Sequence, residues 1–526
     1  MKKLKLVFNT ILYLKPIQIY YRFYYILRNN FFKCNIKKKD IDKSNPILWK
    51  NIHNYNDSFF ENDNSFSFLN ITHQFLGQID WNCKYYGKLW TYNLNYFDFL
   101  NQENISIESG KLLIQDFIKN YDLIKDGKEP YPISLRGINW VKFLTENSIK
   151  DISIDKILYD HYNILLKNLE YHLLGNHLLE NAFSLLFGAY YFQNEKLYNK
   201  SKHLLIYELN EQVLKDGAHF ELSPMYHQII LFRLLDCIQL IKLNITWKKN
   251  DLLLFLEQKA GLMCSWLYNV TYKNGNIPML NDATFNIAPN SNNIFTYAKH
   301  LGINSPNIPL SDSGYRKIDF DDYELLVDVG NIGSSYQPGH AHSDTFNFEL
   351  ILDGNPVFVD SGISTYEKNA IRQHERATHS HNTVKIGFKD QTQVWGGFRV
   401  ANRAKITHLR EKPNFIEASH DGYLIDGYVH TRSFLWGNDN LFITDKINKT
   451  TGNNAKAYFH FHSSVTKPIV KGNYIILESL GVSIEFEKAT NINIEEYQLS
   501  EGFNKTKLAY KIIVIFDKIL KTKISL

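Results

Sequence analysis

The chain has 526 residues, of which 44% are hydrophobic and 21% are charged, and its formal net charge is +5. This composition excludes a disordered chain, and the length predicts two or three folded domains. The sequence has no zinc-finger, RNA-recognition or P-loop spacing, which argues against a nucleic-acid partner. The small positive charge suits an acidic substrate only weakly. The cysteines are too widely spaced for a disulfide framework; they are Cys34, Cys83, Cys237 and Cys264.

The first 27 residues begin like a secretion signal, with a basic start followed by an apolar run. Asn9, Lys15 and Pro16 interrupt that run, and no small-residue cleavage site follows. The run is also too short and too broken to span a bilayer. We interpret it as an amphipathic helical segment that packs on the body of the protein, with a peripheral membrane contact as the alternative. The missing export signal favours a cytoplasmic location, with a periplasmic location as the alternative.

The hydrophobic pattern changes once along the chain. Between about residues 105 and 305, apolar residues recur at the spacing of helices, which predicts a multi-helix array. After about residue 320 they alternate in short runs separated by Gly, Asn and Asp, which predicts an antiparallel β-sandwich. We therefore predict three parts: an N-terminal segment packing on the helical domain (1–105), the helical domain itself (106–315) and the β-sandwich (316–526).

One short stretch of the β-region concentrates histidine and aspartate. His340 and His342 are two residues apart, so both side chains point to one face. A predicted turn at residues 353–355 folds the strand that ends at Asp360 back towards them, and His381 opens the next strand. Two imidazoles and a carboxylate with one open position suit zinc, whereas the alternative is a set of ordinary buried polar residues. Residue spacing alone leaves both possibilities open.

The helical region has three polar clusters inside otherwise apolar helices. A cluster of this kind is either a group of buried residues with local partners or one wall of a cleft. Because three of them recur in helices that are otherwise typical of a core, a shared cleft is the more plausible interpretation. The clusters are Asn176, His177, Glu180 and Asn181; Tyr226 and His227; and Arg136, Asn139 and Trp140.

The chain contains five motifs in this order: "NH…E", "DGAHFELSPMYH", "GHAHSD", "VFVDSG" and "HNTV". This set resembles the heparinase II/III family of polysaccharide lyases and the related alginate and oligo-alginate lyases. The resemblance covers nearly the whole chain. It implies an incomplete α/α toroid followed by an antiparallel β-sandwich, with the active cleft between them, and the cleavage of uronate-containing chains by β-elimination.

The resemblance also implies a role for each candidate residue. By this resemblance, Asn176 and His177 are expected to neutralise the substrate carboxylate and Tyr226 to act as the acid. The role of base stays open between Tyr226 and His340, and His340 is alternatively expected to orient the substrate. The implied metal is a structural zinc held by His342, Asp360 and His381, with His379 as a replacement for the last ligand. The residues implied to contact the substrate are Arg136, Asn139, Trp140 and Glu180.

Two other functions remain as alternatives. One is a non-lytic polysaccharide-binding or assembly protein, because the N-terminal start and the stretch at residues 89–100 resemble a branch associated with bacterial surface-polysaccharide genes. The other is a glycoside hydrolase, which requires two carboxylates across the cleft. Glu180, Glu221 and Asp216 are the candidates for that pair. The expected partner in every case is an acidic polysaccharide or oligosaccharide, and for a lyase we expect a bacterial surface polysaccharide.

Overall fold

The computed structural model describes residues 2–31, 47–52, 59–61, 63–247 and 251–526. In these ranges most helices precede most strands, as the change of hydrophobic pattern predicts. No helix in them combines the length and the hydrophobicity that crossing a bilayer requires. The helices are α1 (Lys2–Ile11), α2 (Pro16–Phe31), α3 (Lys88–Tyr96), α4 (Ile107–Lys119), α5 (Pro130–Glu146), α6 (Ile152–Lys167), α7 (Gly175–Phe192), α8 (Glu195–Gln212), α9 (Pro224–Leu243), α10 (Asp251–Val270), α11 (Ser291–His300) and α12 (Ala370–Glu375).

The strands form two small sheets and a large antiparallel β-domain that begins at residue 315. The strands are β1 (Phe60–Glu61), β2 (Ser65–Phe68), β3 (Ile71–Gln74), β4 (Tyr315–Asp319), β5 (Tyr323–Asp328), β6 (Phe348–Leu352), β7 (Asn355–Phe358), β8 (Val384–Ile386), β9 (Val394–Trp395), β10 (Arg399–Val400), β11 (Ile406–Lys412), β12 (Phe415–His420), β13 (His430–Trp436), β14 (Asn440–Ile447), β15 (Ala455–His460), β16 (Ile469–Lys471), β17 (Tyr474–Leu477), β18 (Val482–Glu487), β19 (Asn491–Gly502), β20 (Lys505–Phe516) and β21 (Ile519–Ser525).

Helices α5, α7 and α9 form the centre of the helical array. They are buried on nearly all sides, as helices without a clear polar face are expected to be. Helix α7 packs against both α5 and α9. Proline opens α5 and α9, where its missing amide proton is not needed, and the Ser223 side chain accepts from the Tyr226 amide to cap α9. These caps place Tyr226 in the first turn of α9.

The β-domain is a sandwich with an eight-stranded sheet on one side. Its strand order is β11-β12-β13-β14-β21-β18-β17-β16, and the sheets β4-β5-β6-β7 and β19-β20-β15-β8 form the other side. Phe348 of β6 lies between them, with its ring 5.9 Å from Phe434 of β13 and 6.1 Å from Phe459 of β15. Burial alternates along β14, which is what a sheet with one solvated face requires.

The predicted turn between β6 and β7 is present. Leu352 pairs with Asn355, so the loop has two residues, Asp353 and Gly354. Both have positive φ (47° and 76°), as the tight hairpin turns that match strand twist require. The hairpin returns the chain to Asp360, two residues beyond β7, where its carboxylate accepts from Asn347 at the end of the loop that carries His340.

The helical array and the β-domain meet along the loop that follows α10. Tyr315 of β4 donates to the Leu222 carbonyl, and Tyr272 donates to Glu349 of β6. The small sheet β1–β3 covers a second side of this junction, because Asn70 donates to the Phe503 carbonyl of the β-domain. These contacts enclose a space between the helical array, the β-domain and the small sheet.

Candidate active site

A cavity of about 510 Å³ lies at this junction. Its walls come from the first turns of α7 and α9, from one face of α5, from the N-terminal segment around β2, and from loops of the β-domain. The cavity is the place where the predicted catalytic residues meet. Those that line it are Asn176, His177, Tyr226 and His340. Their location agrees with the sequence interpretation, whereas their catalytic roles remain predictions.

Tyr226 and His340 are in direct contact across the cavity. Their ring centroids are 3.9 Å apart with the planes tilted by 31°. The Tyr226 hydroxyl also lies 3.2 Å from the hydroxyl of Tyr366, a β-domain residue that the sequence analysis did not identify. Burial raises the pKa of Tyr226 well above the ordinary value of a phenol, although the bond with Tyr366 opposes this shift. Tyr226 is therefore protonated at neutral pH.

Asn176 connects this pair to a buried carboxylate. Its side-chain amide donates to Glu221 Oε2 at 2.7 Å, and its backbone amide donates to Glu221 Oε1 at 3.0 Å. The side-chain nitrogen of Asn176, Nδ2, is also 3.4 Å from Nε2 of His340. Glu221 therefore fixes the orientation of Asn176 and directs its amide towards the space in front of His340.

His177 lies on the cavity wall next to Asn176, with about 31% of its side chain exposed. Its Nδ1 is 3.1 Å from Oε1 of Glu170, and the amide of Asn181 holds the other oxygen of Glu170 at 2.9 Å. Burial alone would lower the pKa of His177, but the charge and the hydrogen bond of Glu170 raise it above its ordinary value. A protonated imidazole at this position suits an anionic ligand.

The two histidines of the "HAH" motif share one carboxylate. Asp282 accepts from Nδ1 of His340 through Oδ2 and from Nε2 of His342 through Oδ1, each at 2.8 Å. Both Asp282 oxygens also accept from the guanidinium of Arg372. Burial would raise the pKa of Asp282, but Arg372 and the two histidines hold it well below its ordinary value. The carboxylate is therefore charged and fixes both rings.

This network determines the tautomer of His340. Because the Asp282 oxygen can only accept, Nδ1 of His340 carries a proton, and this leaves the lone pair on Nε2 in the neutral form of the ring. Nε2 is the atom that faces Asn176 and the cavity. His340 is thus arranged as a proton acceptor, with the second nitrogen anchored in the core.

The predicted zinc ligands are neighbours, but they do not form a coordination cluster in this structure. Nδ1 of His381 is bonded to Asp360 at 2.7 Å, and the rings of His381 and His342 are 5.3 Å apart. Nδ1 of His342 and Nε2 of His381 are buried and have no hydrogen-bond partner among the described residues. Within those residues, no group of three or more His, Cys, Asp or Glu is placed to hold a metal ion. His379, the alternative ligand, is bonded to His374. The zinc site stays a prediction.

The prediction that Arg136, Asn139 and Trp140 line the groove is wrong. All three side chains are fully buried, and none of them lines the cavity. Asn139 lies directly behind the wall, where it is bonded to the wall residues Asp98 and Asn101. Arg136 donates to the carbonyls of Asn95 and Gly127, Asn139 donates to the Tyr96 carbonyl and to Asp98, and the ring of Trp140 packs against Phe97 and Phe117. The cavity side of α5 carries Tyr131, Leu135 and Lys142 instead. The polar side chains Arg136 and Asn139 of α5 therefore make buried hydrogen bonds within the protein.

Glu180 also lies outside the cavity walls, contrary to the prediction that it binds substrate. Its side chain is 1% exposed, and its Oε1 is 3.2 Å from Nε of Arg233. Burial raises the pKa of Glu180 to about 7 despite this ion pair. Arg233 is the residue that reaches the cavity, so Glu180 acts on a ligand only through Arg233.

The carboxylates proposed for a hydrolase do not face each other across the cavity. Asp216 is buried and accepts from the Ser311 and Ser313 amides. Glu221 accepts from the backbone and side-chain amides of Asn176. Together with Glu180 they belong to the surrounding core in the described part of the chain. The structure therefore does not favour the hydrolase alternative.

Comparisons with known proteins agree with this architecture. The family model "Heparinase II/III N-terminus" matches residues 137–302, and the model "Heparinase II/III-like, C-terminal" matches residues 303–525. A heparin-sulfate lyase of Bacteroides thetaiotaomicron is 25% identical over 293 residues, which are 47% of this chain and 40% of that protein. A heparin-sulfate lyase of Bacteroides stercoris is 26% identical over 251 residues, 42% of this chain and 37% of that protein. The matches thus span less than half of either relative.

Solved structures share the fold at low identity. A crystal structure of heparinase III superposes with a TM-score of 0.68 at 17% identity and covers 86% of this chain and 79% of its own. A chondroitin AC lyase of Streptomyces coelicolor superposes with a TM-score of 0.52 at 8% identity, over 83% of this chain and 74% of its own. The predicted fold, an incomplete α/α toroid followed by an antiparallel β-sandwich, is confirmed. With both family models matched over adjoining parts of the sequence, the chain belongs to the heparinase II/III-like family.

Proposed function

We propose that this protein is a polysaccharide lyase that cleaves a uronate-containing chain by β-elimination. The observation that carries the proposal is the contact of Tyr226 with His340, 3.9 Å between ring centroids, beside Asn176 in a cavity enclosed by both halves of the chain. Membership of the family supports the same reaction class.

The difficult step is the removal of a proton from the carbon next to a carboxylate. That proton is weakly acidic while the carboxylate is charged, so donors that neutralise the charge stabilise the anion that develops. Asn176 supplies an oriented amide, and His177 supplies an imidazole whose pKa is raised by Glu170. We assign the substrate carboxylate to the space between these two side chains.

The lone pair on Nε2 of His340 is the first candidate for the base. It removes the proton next to the carboxylate, the electron pair forms the carbon–carbon double bond, and the bond to the glycosidic oxygen breaks. Tyr226, protonated because burial raises its pKa, donates its proton to the departing oxygen. Tyr366, 3.2 Å from the Tyr226 hydroxyl, is placed to exchange a proton with it. No water is consumed.

We propose an acidic polysaccharide or oligosaccharide as the substrate. Two cationic side chains, Arg233 and Lys142, line the cavity, although both are paired with buried carboxylates. Aromatic rings on the same walls, among them Tyr92, Tyr96 and Tyr131, offer flat apolar surfaces for sugar rings. Heparin sulfate and chondroitin sulfate, the polymers that appear in the names of the relatives, are the first to test, together with bacterial capsular polymers that contain uronate.

The proposal includes a structural zinc ion held by His342, Asp360 and His381. Its support is the family resemblance and the two imidazole nitrogens that lack a partner among the described residues. Zinc at this position would hold the loop of His340, and no reaction step depends on it. Metal analysis of the purified protein tests the assignment: about one zinc per chain is expected, and the variant Asp360→Asn should lose it. A metal-free wild-type protein with full activity would remove zinc from the proposal.

The decisive experiment for the activity follows the ultraviolet absorbance of the new double bond with a panel of uronate polymers. We expect absorbance with at least one polymer and none with the Tyr226→Phe variant. Tyr207→Phe is a matched control, since Tyr207 is 58% exposed on α8. If no polymer yields absorbance, or if Tyr226→Phe is as active as the wild type, the elimination mechanism is wrong. Retained polymer binding without cleavage would support the non-lytic alternative.

A further inference from the structure

The two N-terminal helices present a row of large apolar side chains to solvent. Leu4, Phe8 and Phe23 are 74%, 62% and 64% exposed. Along α1 the exposed residues Leu4, Phe8, Ile11 and Leu12 follow the spacing of one helix face. The exposed apolar residues of α2 are Ile17, Tyr20, Phe23, Tyr24, Ile26 and Leu27. We call the exposed residues of both helices the apolar face.

The opposite side of these helices is bonded to the body of the protein. In α2, Gln18 donates to the Leu173 carbonyl at 3.0 Å and Tyr25 donates to the Leu169 carbonyl at 2.6 Å. In α1, Asn9 donates to Asn402 of the β-domain at 2.9 Å. The helices are therefore held in one orientation, and the apolar face is the side left towards solvent by that attachment.

The N-terminal segment, residues 1–31, carries charged residues of one sign only. Residues 1–31 contain no Asp or Glu and six basic residues, which exceeds the formal net charge of +5 of the whole chain. Lys15 is paired with Glu211 and lies over the Tyr336 ring, so it belongs to the attachment. Lys3, Lys5 and Arg22 are exposed beside the apolar face. The full basic set is Lys2, Lys3, Lys5, Lys15, Arg22 and Arg28.

This combination fits an anionic lipid surface better than a second copy of the chain. Amphipathic helices with large apolar residues and nearby Lys and Arg lie in the interface of anionic bilayers, where tyrosine rings are also favoured. Two copies meeting through this face would bring basic residues together without any acidic residue of the segment to offset them. Charge complementarity therefore favours an anionic lipid surface over a second copy of the chain as the partner of the apolar face.

We propose that α1 and α2 dock the protein on the surface of an anionic membrane, with the apolar face in the headgroup region and the basic residues against the lipid phosphates. The proposal does not depend on the lyase activity. It places the cavity near the bilayer, because α2 is bonded to Leu173 and Lys15 lies over Tyr336, and both Leu173 and the neighbouring Gln337 line the cavity. A docked protein would meet glycan chains at the membrane surface.

Flotation of the full-length protein with lipid vesicles tests the docking. One vesicle preparation is pure phosphatidylcholine, and the other contains about seven parts phosphatidylcholine to three parts phosphatidylglycerol. We expect the protein to float with the anionic vesicles and to remain mostly soluble with the neutral ones, and we expect added salt to weaken binding. Protein that stays soluble with both preparations would overturn the proposal.

Variants then identify the surface responsible. The triple variant Leu4→Gln, Phe8→Gln, Phe23→Gln should lower partitioning into anionic vesicles about tenfold or more, and Lys3→Glu with Lys5→Glu should have an effect of similar size. The matched control is Leu76→Gln, Leu254→Gln, Phe388→Gln, which changes side chains of 95%, 63% and 102% relative exposure elsewhere on the molecule. The control should bind like the wild type.

Two further results would contradict membrane docking. One is equal loss of vesicle binding in the triple variant and in its control. The other is a concentration-dependent dimer of the wild type, measured by light scattering without lipid, that the triple variant abolishes, because the apolar face would then be covered by a second copy. Lyase activity on soluble polymer should be unchanged in all of these variants, since none changes a residue of the cavity.

Discussion

The two walls of the cavity are built in different ways. On the helical wall, the reactive side chains Asn176, His177 and Tyr226 lie in the first turns of α7 and α9, and Glu221 and Glu170 of the same half of the chain orient the first two. On the β-domain wall, His340 lies in the long loop between β5 and β6 and is positioned by Asp282. Asp282 belongs to the helical half of the chain and is itself held by Arg372 of α12.

This difference indicates how each wall should respond to substitution. A change of Tyr226 to Phe on the helical wall removes one hydroxyl, which is bonded to the hydroxyl of Tyr366, and leaves its neighbours in place. A change to Asp282 disturbs a network that joins three distant segments, since the carboxylate lies 58 residues from His340 and 90 from Arg372 along the chain. Tyr226→Phe should therefore show a catalytic effect alone, whereas a change of Asp282 should show catalytic and stability effects together.

The largest expected effect is that of His340→Gln, which removes the proposed base. We expect kcat/KM to fall about 10²–10⁴-fold, the usual contribution of a positioned acid or base. His203→Gln, at an exposed site on α8, is the control and should be as active as the wild type. Initial rates of ultraviolet absorbance measure both. A fall of less than a few-fold in His340→Gln would transfer the role of base to a tyrosine.

Asp282→Asn tests the network that supports His340. An amide cannot accept from both histidines and from Arg372 as the carboxylate does, so His340 loses its fixed tautomer and Arg372 is left buried without its counter-charge. We expect a loss of about 3–5 kcal/mol in the free energy of unfolding and a reduced kcat in the protein that remains folded. Urea unfolding and a pH–rate profile measure the two effects.

The outcome that would contradict this account is a stable Asp282→Asn protein with the pH profile of the wild type. A second variant, Arg372→Lys, keeps the charge but loses the two-pronged contact with Asp282. It should be less stable than the wild type and less affected in kcat than Asp282→Asn. If kcat falls more in Asp282→Asn than in Arg372→Lys while both proteins are destabilised, Asp282 positions His340 in addition to stabilising the fold.

Two residues of one helix allow a smaller and sharper comparison. Arg136→Met should lower the melting temperature, because it leaves the carbonyls of Asn95 and Gly127 without their donor at about 1–3 kcal/mol each. It should leave kcat/KM of the folded protein unchanged. Tyr131→Ala, on the cavity side of α5, should instead raise KM about two- to tenfold with little change in kcat. The reverse pattern would mean that the cavity is not where substrate binds.

The smallest effect concerns the pH dependence set by His177. Glu170 raises the pKa of His177, so the protonated form that binds the substrate carboxylate persists to higher pH and is lost as pH rises through that raised value. In Glu170→Gln this source of the shift is gone, and the alkaline limb of kcat/KM should move to lower pH. Profiles of both proteins on the same oligosaccharide test it. If the alkaline limb of kcat/KM in Glu170→Gln lies at the same pH as in the wild type, His177 is not the group whose deprotonation sets that limb.

Local patterns in the sequence were sufficient to predict some features and not others. The helical and strand periods, the turn at residues 353–355 and the motif residues Tyr226 and His340 are set by near neighbours, so they could be inferred. Asp282 and Arg372 gave no signal, because their importance arises only when distant segments meet. The polar residues Arg136 and Asn139 were assigned to the groove because a buried hydrogen bond and a cleft contact look alike in an apolar helix.

The most direct test of the account is the position of a bound uronate. A crystal structure of the Tyr226→Phe variant with an acidic oligosaccharide should show the sugar carboxylate within hydrogen-bond distance of Asn176 and His177, and the neighbouring carbon facing Nε2 of His340. An oligosaccharide bound in the cavity with its carboxylate directed away from both side chains, or bound outside the cavity, would contradict the proposed elimination.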